Sequence, residues 1–66
     1  MRLMQYDIDK LIRARLLKGW NKAKLAKKIK VTPRVIADVE RGFNSSPQTI
    51  TKMADALGVP REEVVI

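Results

Sequence analysis

The chain has 66 residues, enough for one small domain, and contains neither cysteine nor histidine. The missing cysteine excludes disulfide bonds and cysteine-ligated metal, and the missing histidine removes the commonest general base and metal ligand. The formal net charge of +7 makes a polyanion the natural partner.

Composition also argues against a membrane protein and against an enzyme. No apolar run approaches the roughly 18–20 residues that a membrane span needs, and the start, MRLMQYDID, lacks the apolar stretch of a secretory signal. We therefore expect a cytoplasmic protein with no membrane partner. No carboxylate pair, nucleophile–base pair or metal cluster stands out, so we expect no catalytic residues, no metal and no cofactor.

The first predicted helix covers about residues 7–18. Asp7 can cap its first turn, and Gly19 can end it because glycine accepts the left-handed conformation common after a helix. Spacing of three and four residues predicts that one side of this helix is buried. The apolar residues on that side are Ile8, Leu11, Ile12 and Leu16.

Two short helices follow, at about residues 22–29 and 33–41, joined by a tight turn. Asn21 can cap the first and Thr32 the second, where Pro33 occupies the first helical position and its missing N–H costs nothing. Two short helices packed at a steep angle form a helix-turn-helix. Their apolar residues at helical spacing are Leu25, Ile29, Ile36 and Val39.

Two further helices complete the chain, at about residues 47–57 and 60–64. Ser46 can cap the fourth helix, and Gly58 can end it. Aromatic residues and β-branched alternations are too few for a sheet, so the prediction is all-α, a single domain of five helices over residues 1–66. The buried stripe of the fourth helix consists of Ile50, Met53, Ala54 and Leu57.

The basic residues are concentrated in one stretch of the chain. Ten of them lie from Lys10 through Arg34, and no acidic residue lies between Asp9 and Asp38. A field of one sign over half of a small domain raises phosphate affinity and speeds association. Within this stretch, three lysines are more typical of a solvated face: Lys18, Lys28 and Lys30.

The order and spacing of several short motifs resemble the Cro and phage-repressor type of helix-turn-helix domain, the lambda-repressor-like or XRE-type fold. This resemblance covers about residues 8–64 and implies a compact five-helix domain that binds double-stranded DNA. It also implies a transcription regulator, here expected to be a repressor, that works as a homodimer on a near-palindromic operator. The residues that carry it are Arg15, LAKKI at 25–29, Ile36, ERG at 40–42, Pro47 and ADALGV at 54–59.

Two lysines depart from the pattern of this family. Lys30 occupies the turn between the second and third helices, where glycine is common because φ is positive. A left-handed residue other than glycine costs about 1 kcal/mol, unless the turn relaxes. Lys24 stands near the start of the second helix, where many relatives have an acidic residue, and a cation is mildly unfavourable there.

The resemblance places the third helix in the major groove, with its first residues at base edges. Arg34 is the foremost candidate, because its planar fork can donate twice to a guanine; the alternative is contact with phosphate alone. Thr32 must divide its hydroxyl between the cap and DNA, and Pro33 and Ala37 can offer apolar contact to a thymine methyl. Asp38 can accept from a cytosine or, as we favour, orient Arg34 four residues earlier.

Phosphate contacts need a second set of residues. Asn21 and Lys22 stand at the start of the second helix, whose unpaired N–H groups suit an anion, and they match family positions that contact the backbone. Arg41 ends the third helix. Asn44 and Ser45 lie in the following loop, which is either a phosphate contact or a solvated connector. Contacts of this kind fix register without reading sequence.

Three side chains are expected to be structural. The resemblance pairs Arg15 with Glu40 in a partly buried salt bridge that links the first helix to the third. Trp20, the only tryptophan, is expected to pack over the corner between the first two helices rather than to stack on a base. Met53 is expected to be an ordinary core residue.

Both termini are apolar, at residues 1–6 and 64–66. Exposed, they would be unusual for a monomer, so we expect either a dimer interface or the point where a longer protein was cut. Three alternatives to a regulator stay open. An antitoxin of the same fold would bind a toxin protein as well as DNA; a protein-interaction module would not need the basic stretch; and a membrane-surface binder would lack apolar stripes for its core.

Overall fold

The computed structural model describes residues 6–43 and 46–65. All regular elements in those ranges are helices, apart from one isolated antiparallel bridge between Tyr6 and Val65. The predicted all-α, five-helix fold is confirmed, and the helices begin and end within one residue of the positions expected. They are α1 (Ile8–Leu17), α2 (Lys22–Ile29), α3 (Pro33–Glu40), α4 (Pro47–Leu57) and α5 (Arg61–Val64).

The first two helices begin with the side-chain caps expected from the sequence. Asp7 Oδ1 accepts a hydrogen bond from the backbone N–H of Lys10 at 3.1 Å. Asn21 Oδ1 accepts one from the backbone N–H of Lys24 at 2.8 Å. Each carboxylate or amide oxygen satisfies one of the N–H groups that a helix start leaves without an intrahelical partner.

The next two helices begin differently. Thr32 and Ser46 precede α3 and α4, but neither side chain makes the predicted capping hydrogen bond. Both helices have proline at the start, Pro33 and Pro47, which presets φ and removes one N–H that would otherwise need a partner. The hydroxyl of Thr32 is therefore not divided between a cap and other contacts.

The core forms where the inner faces of the helices meet. α3 contacts α1 and α2, and α4 contacts α1, α2 and α5. The four predicted stripe residues of the helix-turn-helix and the four of α4 are all buried, as are Leu11 and Ala26. None of the helices in the described ranges is long and apolar enough to cross a bilayer.

One predicted core residue of α1 is wrong. Leu16 is 60% exposed, and the neighbouring Leu17 is 88% exposed. The residue one turn beyond the fully buried Leu11 is Arg15, and Arg15 takes the inward position with only 7% exposure. Leu16 lies one helical turn after Ile12, which is only partly buried at the edge of the core, so the Leu16 side chain lies outside the core.

The expected exposed apolar surface at the termini is wrong for Tyr6 and Val64, although Val65 is 41% exposed as expected. Val64 is 2% exposed and belongs to the core, and Tyr6 is partly buried against it. The backbone N–H of Asp7 donates to the carbonyl of Val64 at 2.6 Å, beside the bridge to Val65. The two terminal segments therefore pair with each other. The remaining apolar residues of that expectation, Met1, Leu3, Met4 and Ile66, lie outside the described residues.

The turn of the helix-turn-helix keeps its left-handed residue despite the lysine. Lys30 has φ 61° and ψ 44°, and among the described residues all other positive φ angles belong to glycine. The backbone N–H of the next residue, Val31, donates to the carbonyl of Ala26 at 2.9 Å, which closes α2. The turn has not relaxed, so the steric cost of Cβ in this conformation is present.

Lys30→Gly is expected to stabilise the domain by about 0.5–1 kcal/mol, because relief of the left-handed strain exceeds the added entropy of the unfolded glycine. Thermal unfolding followed by circular dichroism measures this as a rise in Tm of a few degrees. Gly58→Ala is the matched opposite change: Gly58 has φ 74° and an added Cβ meets nothing within 4 Å. Gly58→Ala should lower Tm because alanine is strained at this positive φ, and no steric clash of the added Cβ contributes. A lower Tm for Lys30→Gly would contradict the assigned strain.

Candidate nucleic-acid interface

The first residues of α3 form one outward surface. The inner side of the helix carries Ile36 and Val39, both fully buried against the other helices. Positions separated by three or four residues share a helix face, so the remaining residues of the first two turns lie together on the outside. Thr32, Pro33 and Arg34 are exposed, and Ala37 and Asp38 are partly buried. The structure thus brings together all five residues predicted to contact bases.

Arg34 is the most prominent side chain on this surface, which we call the α3 face. It is 89% exposed, and its Nε lies 4.0 Å from Oδ2 of Asp38, which is 32% exposed. That separation is an ion pair but too long for a hydrogen bond. The carboxylate therefore holds the guanidinium electrostatically without occupying its N–H groups at close range, and the side chain is available for a partner.

α3 is fixed in place by a buried ion pair with α1. Arg15 Nε donates to Glu40 Oε2 at 2.7 Å, and Arg15 Nη2 donates to Glu40 Oε1 at 3.1 Å. Arg15 Nη1 also donates to the backbone carbonyl of Trp20 at 2.9 Å. The two side chains are 9% and 8% exposed. One guanidinium thus joins α1, the α1–α2 corner and the last turn of α3, in the pairing implied by the family resemblance.

Glu40→Ala is expected to destabilise the domain by about 3 kcal/mol or more, because it leaves the Arg15 guanidinium buried without its counter-charge. Urea unfolding followed by circular dichroism measures the loss. Glu63→Ala is the control, since Glu63 pairs with Lys10 at 3.1 Å where both side chains are about half exposed; that pair is worth about 1 kcal/mol at most. Equal effects of the two substitutions would contradict the special role of the buried pair.

The residues predicted to contact phosphate lie in three places. Asn21 and Lys22 are exposed at the start of α2, where the N–H groups of the first turn point outward. Arg41 is exposed at the end of α3. Asn44 and Ser45 lie outside the described residues. The N–H groups and the dipole at the start of α2, together with the charge of Lys22, suit the binding of an anion. Arg41 supplies a positive charge at the second place.

The positive charge is least compensated in the middle of the basic stretch. At its ends, Lys10 pairs with Glu63 and Arg34 pairs with Asp38. From residue 18 to residue 30, no lysine has an acidic partner within ion-pair distance among the described residues. The uncompensated lysines lie on α2, at the corner before it and in the turn after it.

Trp20 lies within this uncompensated region. Its ring is partly buried and packs against the core at the α1–α2 corner, as expected. Sequence reasoning missed what surrounds the ring: the Nζ atoms of Lys18, Lys24 and Lys28 lie 5.2, 5.8 and 5.5 Å from its centroid. Part of the signal was present, because Lys24 and Lys28 are four residues apart on one side of α2 and Trp20 precedes that helix by two residues.

Comparison with known proteins gives one result. A family model described as helix-turn-helix matches residues 11–64, which include most of α1 and all of α2 to α5. No curated protein and no solved structure matches the chain significantly.

Proposed function

Because the chain belongs to the helix-turn-helix family of the Cro and phage-repressor type, whose members are DNA-binding transcription regulators, we propose that it represses transcription by inserting α3 into the major groove of an operator half-site. The observation that carries this proposal is the α3 face, where Arg34 is 89% exposed at the start of the helix. The buried ion pair between Arg15 and Glu40 holds the other end of this helix against α1. A rigidly held helix with an exposed arginine is suited to reading base edges. Such a regulator works where the DNA is, so a cytoplasmic location accompanies the proposal.

In this proposal the five residues of the α3 face divide the base contacts. Arg34 donates two hydrogen bonds to O6 and N7 of a guanine. Asp38 orients it from one turn further along the helix, at the observed 4.0 Å. Pro33 and Ala37 contact thymine methyl groups, and Thr32 offers the hydroxyl that the structure leaves out of the helix cap.

A second set of residues positions the domain on the duplex. Asn21 and Lys22 place the start of α2 against one backbone phosphate, using the outward N–H groups, the helix dipole and the lysine charge. Arg41 contacts a phosphate from the other end of α3, and Asn44 and Ser45, which lie outside the described residues, remain proposed phosphate contacts from the sequence. These contacts carry affinity and register, while the α3 face carries sequence preference.

Arg34→Ala is expected to cost about 1–3 kcal/mol on the specific site and to relax the preference at one base pair. Selection of bound duplexes from a random pool supplies the site, and fluorescence anisotropy of labelled duplexes measures the affinities. The loss should be much smaller on a scrambled duplex, because the bidentate pairing with guanine is then absent.

Lys22→Ala is the matched comparison, since it also removes one exposed positive charge. It should weaken binding to the selected site and to the scrambled duplex about equally, because a phosphate contact does not depend on sequence. If both variants lose affinity in the same pattern, the assignment of α3 to base readout is wrong. If the unaltered protein selects no sequence and binds duplex with no salt dependence, the proposed function itself is wrong.

We further propose that two copies act together on a near-palindromic operator. One α3 covers only about four or five base pairs, which is too few to single out a site in a genome, and two copies related by a two-fold axis double the readout. Of the described terminal residues, Val64 is buried and Val65 is exposed, so these segments offer little apolar area for a contact between the copies. The free dimer is therefore expected to be weak and to form mainly on DNA.

Moving the two half-sites of a selected operator apart by about five base pairs is expected to abolish cooperative binding, because half a helical turn places the second half-site on the opposite face of the duplex. Titration followed by gel mobility shift distinguishes one-step from two-step occupancy. Insertion of about ten base pairs, one full turn, returns the second half-site to the same face of the duplex as the first. This insertion controls for the effect of added length alone. Binding that is indifferent to both insertions would show independent monomers.

A further inference from the structure

Four residues at the α1–α2 corner form a group that the proposed contacts do not use. We call it the lysine–indole cluster: Lys18, Trp20, Lys24 and Lys28. Lys18 follows the last residue of α1, and the two other lysines stand one turn apart on α2. Since Cα–Cβ bonds tilt toward the start of a helix, both α2 side chains lean back toward Trp20, and Lys18 approaches from the other element.

Three like charges surround one aromatic ring in this cluster. The Nζ atoms lie 5.2–5.8 Å from a single centroid. No two of them can be farther apart than the sum of their distances to the centroid, which is close to the Debye length of about 8–10 Å, so salt does not fully screen their repulsion. The quadrupole of the indole attracts each ammonium group, but the ring has no net charge and so does not neutralise the three positive charges. Among the described residues no carboxylate pairs with any of them.

This arrangement fits a ligand with several negative charges rather than a single small anion. The three ammonium groups place a charge of +3 within 5.8 Å of one centroid, which a single monovalent or divalent anion cannot neutralise. Lys24 and Lys28, with Lys27, also line an open depression of about 270 Å³ on the outer side of α2. A string of phosphates can contact several of these cations at once, and each contact releases a counterion.

The position of the cluster favours duplex DNA as the source of those phosphates. Trp20 directly precedes Asn21 and Lys22, the proposed phosphate contacts at the start of α2. α2 has eight residues and so spans about 12 Å, and the turn that leads into α3 lies at its far end. Lys18 and Trp20 therefore adjoin the proposed phosphate contacts at the start of α2, at the end of that helix opposite the turn into α3, while Lys28 stands in its last turn.

We propose that the lysine–indole cluster binds backbone phosphates of duplex DNA that flanks the base pairs read by α3. This inference rests on the DNA-binding function proposed above. It assigns a ligand to two lysines, Lys18 and Lys28, whose sequence context is typical of a solvated face. It also gives Trp20 a second role beside packing, because the ring keeps the three ammonium groups gathered at the corner.

The first test uses Trp20 as the reporter, since it is the only tryptophan in the chain. The full chain is titrated with a mixed-sequence duplex of about 20 base pairs, long enough for the flank to be present. Indole emission is expected to change in step with binding measured by anisotropy of a labelled duplex. Binding with no change in emission would overturn the proposal, because phosphates that displace or draw off the ammonium groups must alter the surroundings of the ring.

The second test compares two double variants of equal charge. Lys24→Gln with Lys28→Gln removes two cations of the cluster, and Arg13→Gln with Lys52→Gln removes two exposed cations elsewhere. Each lost phosphate contact reduces the slope of log affinity against log salt by about 0.9. The cluster variant should lose close to two such steps and most of the emission change. The control should lose less than one step and keep the emission change.

Each outcome has one meaning. Equal slopes for the two variants overturn the proposal, while binding by the unaltered chain preserves the function proposed for α3. Absence of any salt-dependent binding by the unaltered chain overturns that function first, and the cluster proposal with it.

Inorganic tripolyphosphate is the third arm: if it changes the emission as strongly as duplex at equal phosphate concentration, the ligand is a free polyphosphate and the assignment to DNA is wrong. Should the cluster variant not fold, Lys18→Gln with Lys28→Gln replaces it.

Discussion

The arrangement of this domain depends on one buried guanidinium. Arg15 donates three hydrogen bonds, two to Glu40 on α3 and one to the carbonyl of Trp20. A buried charge is costly without such partners, so any movement of α3 away from α1 would leave both charges unsatisfied. The pair therefore fixes where the α3 face lies, and the same guanidinium holds the corner from which the lysine–indole cluster projects.

Much of the fold follows from local signals in the sequence. Asp7 and Asn21 cap their helices, prolines stand at the starts of α3 and α4, and Gly58 ends α4 in the left-handed conformation. These signals are local because they act within one turn of the chain, so sequence spacing is sufficient to find them. The inward position of Arg15 is different. Apolar periodicity favours Leu16 there, and a buried arginine is stable only because Glu40 on another helix and the carbonyl of Trp20 accept its hydrogen bonds.

The candidate site divides in the same way. Helix geometry predicts from the sequence that Arg34 and its neighbours share one outward surface of α3, while their contact with DNA is implied by the family resemblance. The closing of the termini over Val64 and the gathering of lysines around Trp20 depend on contacts between separate elements. Lys18 follows the end of α1 and Lys24 lies on α2. The distribution of charge along the sequence therefore does not show that both ammonium groups lie beside the Trp20 ring.

The pairing of Tyr6 with Val65 makes the described chain nearly a closed ring. Lys10 and Glu63, which reinforce this closure, are 53 residues apart in sequence. Contacts so distant lose the most chain entropy when they form, while the contacts between α2 and α3 are local. A covalent peptide that joined residue 65 to residue 6 would therefore reduce the entropy of the unfolded chain without altering the helix-turn-helix. The chain could then be opened elsewhere, which makes this domain a suitable scaffold for circular permutation.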